Sequence, residues 1–290
     1  MHNIAVLITC HNRLNKTLQC LESLYKSFEI YNSEILMSVY LTDDGSVDST
    51  SKLVSEQFPK VIILKGSGKL FWAGGMRNSW NQALKGEYDS YLLLNDDTTV
   101  SEHVFGELSK AHQFSIENFE KGGIYIGATN EVNGSKISYS GWNLRSKLLN
   151  TYTQILPNNT YQLCSFGNAN IMLVTSDVVS KIGIFYSGYS HGLADFDYTL
   201  TANKKKIPVI ILPNPLGSCE SNTNNRYSVF RKLAFKERIR YLVNPVGLGF
   251  WDQLTYMKRH FPFRLPFVFL TGIFKVLFPN VYILINKTRI

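Results

Sequence analysis

Three acidic segments, Thr42-Asp43-Asp44-Gly45-Ser46, Asn95-Asp96-Asp97-Thr98 and Asp195-Phe196-Asp197, punctuate a chain that is otherwise basic. Each follows an apolar run or a loop of glycine and aromatic residues. Carboxylates in such places can hold a divalent cation through oxygen, accept hydrogen bonds from a ribose or a base, and take the proton of a hydroxyl nucleophile. In the first segment Gly45 permits a tight turn beside a carboxylate pair suited to a base N–H or a ribose hydroxyl. Its plainer use is an Asx turn before a helix capped by Asp48 or Ser49. In the second, acidic oxygens come directly after Leu92-Leu93-Leu94, and a hard cation such as Mg²⁺ or Mn²⁺ takes such ligands while bridging to phosphates. In the third, Asp195 lies near the start of a helix expected over Tyr198 to Lys204, whose dipole favours the ionised form that a general base needs.

Two more segments carry polar chemistry. Thr9-Cys10-His11-Asn12-Arg13 closes the first apolar run with backbone groups and short side chains that can meet a nucleotide base or phosphate. Gly66-Ser67-Gly68 leads through Phe71 and Trp72 to Ala73-Gly74-Gly75-Met76-Arg77-Asn78, which reads as a glycine-rich helix start with Arg77 in its first turn, an anion site. A dinucleotide fingerprint is excluded by position: Gly-x-Gly-x-x-Gly should join the first strand to the first helix, and here that junction is Thr-Cys-His-Asn-Arg. Trp72, His191 and Asp197 are candidate contacts to a sugar donor or its acceptor. Metal, nucleotide and base functions in one chain are the needs of sugar transfer from a nucleotide donor.

These side chains need a scaffold that gathers strand ends. Ile4 to Thr9 reads as a buried strand, and Leu14, Leu18, Leu21, Leu24, Tyr25 and Phe28 recur at helical spacing. Strands at Ser38 to Thr42, Val61 to Leu64 and Ser90 to Leu94 alternate with helices at Ser46 to Phe58 and Gly75 to Leu84. Such alternation predicts an α/β fold with a mainly parallel central sheet and ligands at the carboxyl ends of its strands. Beyond Val100 the pattern weakens to a helix around Glu102 to Phe119, strands at Gly123 to Ala128, Ile171 to Val174 and Ile207 to Leu212, and a Tyr/Asn-rich region over 130–161 that can shape an acceptor pocket.

The chain has 290 residues, 44% of them hydrophobic and 18% charged, enough for one large domain with an appendage. Cys10, Cys20, Cys164 and Cys219 form no close pair of the kind that binds zinc or works as a redox dithiol. No secretory signal is evident, so the expectation is a cytoplasmic protein with reduced thiols, in which the Asn-x-Ser/Thr triplets at Asn15, Asn133, Asn158 and Asn286 are chance matches. The net charge of +8 is concentrated from Arg226 onward: residues 226–290 hold 12 Lys/Arg against 2 Asp/Glu. Interleaved phenylalanines, among them Phe261, Phe263, Phe267 and Phe269, suit an anionic membrane surface better than nucleic acid. Arg264, Pro266, Lys275 and Pro279 interrupt any membrane-spanning run. The simplest division is a catalytic domain over 1–225 and a helical, basic, aromatic-rich extension over 226–290, separable near Tyr256 and associated with a membrane; a helix pair packed on the body is the other reading.

Residues 4 to about 212 resemble the inverting glycosyltransferase family 2, and within it the rhamnosyltransferase-like bacterial branch. The shared pattern is a strand-end Thr-x-Asn-Arg, then Asp-Asp-Gly-Ser-x-Asp, then Ala-Gly-x-x-Arg-Asn, an acidic metal motif and a final acidic pair, in order. The resemblance implies a GT-A nucleotide-sugar-binding fold, to which the charge and aromatic pattern adds a helical basic C-terminal extension. It also implies that Thr9, His11, Asn12, Arg13, Asp43, Asp44 and Asp96 serve the nucleotide, Arg77 the diphosphate, Asp97 with Asp96 a Mn²⁺ or Mg²⁺ ion, and Asp195 catalysis as base. The partners would be a nucleoside diphosphate sugar and a saccharide or lipid-linked saccharide used for bacterial surface polysaccharide, with no nucleic acid. The chain departs from the pattern at Ala194, where many members carry glutamate, and between Pro213 and Tyr227, where Cys219 and Glu220 replace an expected histidine. A nucleotidyltransferase and a non-catalytic assembly subunit are the alternatives.

Overall fold

The computed structural model describes residues 2–221 and 226–285. The triplet at Asn286 and the last five residues of the expected extension lie outside them. The amino-terminal half alternates strand and helix: β1 (Asn3–Cys10), α1 (Leu14–Tyr31), β2 (Leu36–Asp43), α2 (Thr50–Gln57), β3 (Ile62–Lys65), α3 (Phe71–Ala83) and β4 (Ser90–Leu94). After β5 (Thr99–Val100) and α4 (Val104–Phe119) come β6 (Ile124–Ile126), β7 (Thr129–Asn130), β8 (Ile137–Tyr139), β9 (Gly141–Ser146) and β10 (Thr151–Ile155). β11 (Gln162–Leu163), β12 (Phe166–Gly167), β13 (Ile171–Thr175), α5 (Ser176–Ile182), α6 (Ala194–Lys204), β14 (Val209–Ile211) and β15 (Gly217–Ser218) follow.

The main sheet has eight strands in the order β11-β14-β6-β13-β4-β1-β2-β3. β4, β1, β2 and β3 run parallel, whereas β13 is antiparallel to both β4 and β6. The parallel block is the part with clear alternation, because each of its crossovers needs a helix. β1 shows how tightly the sheet is covered on both faces: Ala5 and Leu7 join one core with Trp80 of α3 and Tyr198 of α6, while Ile4, Val6 and Ile8 join a second core with Leu21 and Leu24 of α1. Full burial of each such aliphatic side chain contributes about 2 kcal/mol.

Three helices start elsewhere than expected, and of these α6 begins at Ala194 rather than Tyr198, which puts Asp195 inside its first turn. α2 begins at Thr50 rather than Ser46 because 46–49 form a turn: Asp43 accepts the N–H of Ser46, Asn12 accepts that of Val47, and Asp48 accepts the N–H of Thr50 at 3.3 Å while its other oxygen accepts that of Leu14, at the start of α1, at 3.0 Å. α3 begins at Phe71, four residues before Gly75. The glycines within it serve packing: a Cβ on Gly75 would lie 2.0 Å from Thr9 Oγ1, so the helix can approach β1 only without one.

Beyond Arg226 the chain forms α7 (Arg226–Phe230), α8 (Phe235–Val243), α9 (Phe250–His260), α10 (Leu265–Leu277) and α11 (Pro279–Ile285). α9 is built into the main body. Tyr256, Met257 and Phe261 belong to the core that holds Trp80, and the α9 residues Arg259 and His260 bond to Asp197 of α6. α10 lies over α9 through Gly272, whose missing Cβ leaves room for the Phe250 ring. No helix among the described residues is long and apolar enough to cross a membrane.

Candidate active site

The parallel strands end level with one another. Cys10 pairs with Asp43 and Asp43 with Lys65, and Leu7 pairs with Leu93, so Asn95-Asp96-Asp97 emerges beside Thr9 to Arg13. On the other side of β4, antiparallel β13 starts at the same edge, and Asn95 donates its N–H to the carbonyl of Asn170 at 3.1 Å. Two cavities open here. The smaller, about 280 Å³, is lined by Thr9, His11, Asp44, Gly68 and Phe71; the larger, about 560 Å³, by Asp97, Asn168, Asp195, Cys219 and Asp252 among others. Arg13, Trp72, Asp96 and His191 line both, so the two are halves of one cleft.

In the smaller half, Asp44 organises the floor. Its carboxylate accepts the N–H groups of Gly68 at 2.7 Å and Phe71 at 2.9 Å, holding the glycine loop and the start of α3, while its carbonyl oxygen meets His11 Nδ1 at 2.7 Å. Asp43 sits beneath, bonded to Ser46 and Ser51, and does not line either cavity. Its Asx-turn role is the plainer of the two readings of that motif. Asn12, at φ 51°, likewise bonds to Ser46 and Val47. Trp72 donates its indole N–H to Asn95 Oδ1 at 2.8 Å, tying α3 to the end of β4.

At the junction of the halves, Arg13 Nη1 lies 3.1 Å from Asp96 Oδ1 and 2.8 Å from Asp97 Oδ2. Burial pushes the Asp96 carboxyl up to about 7, with Arg13 opposing and Asp97 adding to the rise. Asp96 Oδ2 is buried without a hydrogen-bond partner. Asp97 Oδ1 stands 3.5 Å from Cys219 Sγ, which β15 delivers to this point. Among the described residues no group of three His, Cys, Asp or Glu side chains forms a ready cluster for a metal ion. Two carboxylates, one with an orphaned oxygen, fit a cation that takes its remaining ligands from phosphate and water, as Mg²⁺ commonly does. These are the residues that would hold it.

The larger half contains Asp195 at the first turn of α6. Its Oδ1 accepts the N–H of Phe196 and its Oδ2 that of Ala169 at 3.2 Å. Dense surrounding protein desolvates the carboxyl and raises its pKa to about 6, the hydrogen bonds opposing. A carboxylate at that value is ionised at neutral pH and more basic than an ordinary one, which suits proton abstraction. His191 faces both halves with Nδ1 buried and unpartnered, and burial lowers its pKa, keeping the ring neutral at pH 7.

Two expected site residues are placed elsewhere. Arg77 lies in the second turn of α3, because that helix starts four residues early; it donates to the carbonyls of Tyr186 at 3.1 Å and Tyr189 at 2.8 Å and lines neither cavity. Asp197 is buried under α6, where His260, Arg259 and Tyr189 bond to it. Burial disfavours its charge, but the bonds from His260 and Arg259 outweigh that and hold its pKa below the ordinary carboxylate value. It is thus a tie between α6 and α9 rather than a contact to sugar.

Sequence reasoning missed Asp252. This α9 carboxylate, 4% exposed, accepts the N–H groups of Ser190 at 3.0 Å, His191 at 2.9 Å and Gly192 at 3.1 Å. It fixes the loop that leads through Leu193, at φ 66°, into Asp195. The available signal was one of only two acids in a basic segment. Arg226, Gln253 and Tyr256 also line the larger cavity, so the C-terminal helices form one of its walls. Tyr139, Asn150 and Tyr152, from the Tyr/Asn-rich region, line another.

Residues 5–173 match Glycosyl transferase family 2. No curated protein matches the sequence. Among solved structures, the mannosyltransferase PcManGT from Pyrobaculum calidifontis, in complex with GDP-Man and Mn²⁺, is similar with a TM-score of 0.55 at 11% identity, covering 99% of this chain and 75% of that one. TarS 1–349 of S. aureus in complex with UDP matches with a TM-score of 0.51 at 16% identity, covering 90% and 72%. Its complex with UDP-GlcNAc matches with a TM-score of 0.50 at 14% identity, covering 91% and 73%. At such identities the shared property is the GT-A fold. The family match covers more than half of the sequence, and on that ground the chain belongs to glycosyl transferase family 2.

Proposed function

We propose that this glycosyltransferase moves a hexosyl or deoxyhexosyl group from a nucleoside diphosphate sugar to a hydroxyl of a saccharide or lipid-linked saccharide, with inversion at the anomeric carbon. The observation that carries the reading is one cleft with two halves: a base of raised pKa, Asp195, in the larger, and the strand-end polar groups of β1, β2 and β4 in the smaller. The nucleotide is assigned to the smaller half, against Thr9, His11 and Asp44. The acceptor is assigned to the larger. The diphosphate then falls at the shared wall, where Arg13, Asp96 and Asp97 stand.

Asp195 takes the proton of the acceptor hydroxyl as that oxygen bonds to the anomeric carbon. The bond from this carbon to the diphosphate breaks in the same displacement, and its electron pair leaves with the diphosphate. Arg13 is the cation of this chain placed to meet the charge that develops there, and Trp72 and His191 wall the junction where the sugar would lie. A divalent cation held by Asp97 and Asp96 would supply further leaving-group stabilisation. GDP-Man with Mn²⁺ in PcManGT supports a metal in this family.

The biological setting we propose is bacterial surface polysaccharide synthesis on the cytoplasmic face of the membrane, with the enzyme peripheral to it. Thermal shift of the full chain against UDP, GDP, dTDP and CMP, with and without Mn²⁺, tests the donor assignment, since a ligand that binds only the native state raises apparent stability. A Mn²⁺-dependent response to one nucleotide, followed by turnover of its sugar conjugate, is the expected result. Indifference to all four overturns the reading.

A further inference from the structure

The exposed side of α10 and α11 is apolar, the reverse of an ordinary surface helix. On α10 the buried face comprises Gly272, Lys275 and Val276, and the opposite face presents Phe267 (60% exposed), Leu270 (63%), Ile273 and Leu277 to solvent. The spacing of three and four residues puts these four on one stripe, which Phe263 precedes and Val281 and Leu284 of α11 continue. From Phe267 to Leu284 the one charged residue is Lys275, and it is buried.

A second element adds to the surface. The loop joining β9 to β10 exposes Leu148 (69%) and Leu149 (64%) with Lys147 beside them. It is fastened to the start of α10: Arg264 Nη1 donates to the Leu148 carbonyl at 2.7 Å, and the same guanidinium lies 5.8 Å from the Phe267 ring centre. Next along the chain, Asn150 and Tyr152 line the larger cavity, as does Val268 of α10. The apolar surface therefore borders the mouth of the half-cleft assigned to the acceptor.

Charge selects the occupant. Between 226 and 290 there are 12 lysines and arginines and only two acids, Glu237 and Asp252. Both acids are occupied by backbone N–H groups, Asp252 at 190–192 and Glu237 at Ala234. On α8, which packs against α10, Lys236 and Arg240 are exposed, and so is Lys258 on α9. A second copy meeting this surface through a two-fold axis would bring like charges together. An anionic bilayer meets both properties, apolar side chains entering at the headgroup level and cations facing lipid phosphate.

We infer that α10, α11 and the Leu148-Leu149 loop form one bilayer-docking surface that sets the acceptor half of the cleft against the membrane. It deepens the proposed function, on which its purpose rests: a lipid-linked acceptor would reach Asp195 without leaving the bilayer. The test is flotation of the full chain with vesicles of phosphatidylcholine alone and of phosphatidylcholine mixed with phosphatidylglycerol, at low and high salt. Two variants accompany it, Phe267→Glu with Leu270→Glu, and Leu148→Asp with Leu149→Asp, with melting temperature and the nucleotide thermal shift measured on each. Expected are flotation with the anionic vesicles only, weakening with salt, and a loss of at least about tenfold in partitioning for each variant. Melting temperature and nucleotide response should stay unchanged. Indifference of the full chain to anionic vesicles overturns the inference, and so does undiminished flotation of both variants. Concentration-dependent dimerisation abolished by the same substitutions would assign the surface to a second copy and overturn it too. Vesicle binding without any nucleotide response would instead sink the proposed function and leave the docking surface standing.

Discussion

The Asp252 carboxylate accepts the backbone N–H of His191 at 2.9 Å, across 61 residues of sequence, and with its bonds to Ser190 and Gly192 it holds the loop that ends in Asp195. A helix of the C-terminal segment thus reaches into the cleft to fix the position of the proposed base. Asp252→Ala leaves three N–H groups without this partner, and each such group that stays dry costs about 1–3 kcal/mol. The expected loss is about 3 kcal/mol in urea unfolding, together with a fall in turnover that exceeds any change in donor affinity. Asp252→Asn keeps one acceptor oxygen and should recover part of both. An Ala variant with wild-type stability and turnover would show that the loop holds itself.

Asp195 gives a prediction with opposite signs for activity and stability. Its pKa is raised from 3.8 to about 6, so the native state holds this proton more tightly than the unfolded chain. Stability from the protonated carboxyl is complete at low pH and is lost as pH rises through about 6. Asp195→Asn stays neutral at every pH, and at pH 7 it should be more stable than the parent by up to about 3 kcal/mol, a gap that closes below about pH 4. Turnover should fall by about 10² to 10⁴ while donor binding holds, and the parent's rate should rise with pH through about 6. A variant that is less stable at pH 7, or that keeps its rate, contradicts the assignment.

What the sequence shows and what it hides follows from the range of the interactions. The run Ile4 to Thr9 and the leucines before Asn95 announce buried strands, and polar residues at their ends lie at the cleft because parallel strands finish level. Asp44, Arg13 and Asp96 are legible for that reason, and Asp195 by its place at the start of a helix. Arg77 is not. Gly74-Gly75 looks like the start of a helix, but Gly75 is there to let α3 approach Thr9, and the helix begins at Phe71, with its N–H held by Asp44. Asp197 and Asp252 are misread or missed because their partners lie about 60 residues away, at Arg259, His260 and the 190–192 loop, and no local pattern encodes such pairings. The expected separability near Tyr256 overlooks the same pairings, since Arg259 and His260, which bond Asp197, lie beyond that residue.

Asp97→Ala should lower turnover by about 10²-fold or more through lost leaving-group stabilisation, with the fold intact. It should also abolish the Mn²⁺-dependent part of the nucleotide thermal shift. The partner of Asp97 in the structure is Arg13, at 2.8 Å. Arg13→Ala should weaken binding of the nucleoside diphosphate while sparing that of the nucleoside alone, because its guanidinium stands at the junction assigned to the diphosphate. Full turnover of Asp97→Ala in EDTA would remove the metal from the reading.

Arg259 and Asp197 form the tie that makes α9 part of the fold. Asp197 is almost fully buried, and its charge is held by Arg259, His260 and the Tyr189 hydroxyl. Breaking a buried pair by removing one partner leaves a desolvated charge, at a typical cost of about 3–5 kcal/mol. His260 and Tyr189 remain in Arg259→Ala, so its expected cost is nearer about 2–3 kcal/mol in urea unfolding. A chain ending after Tyr256 loses Arg259, His260 and the buried Phe261 together, and the sum of those losses is comparable with the whole stability of a domain. That truncation should be insoluble. Asp197→Asn combined with Arg259→Ala should cost less than the two single effects added, since the neutral amide no longer requires a countercharge. If Arg259→Ala costs below about 1 kcal/mol, the pair behaves as an exposed one, and the grip of α9 on α6 must come from His260 and the buried Tyr256, Met257 and Phe261.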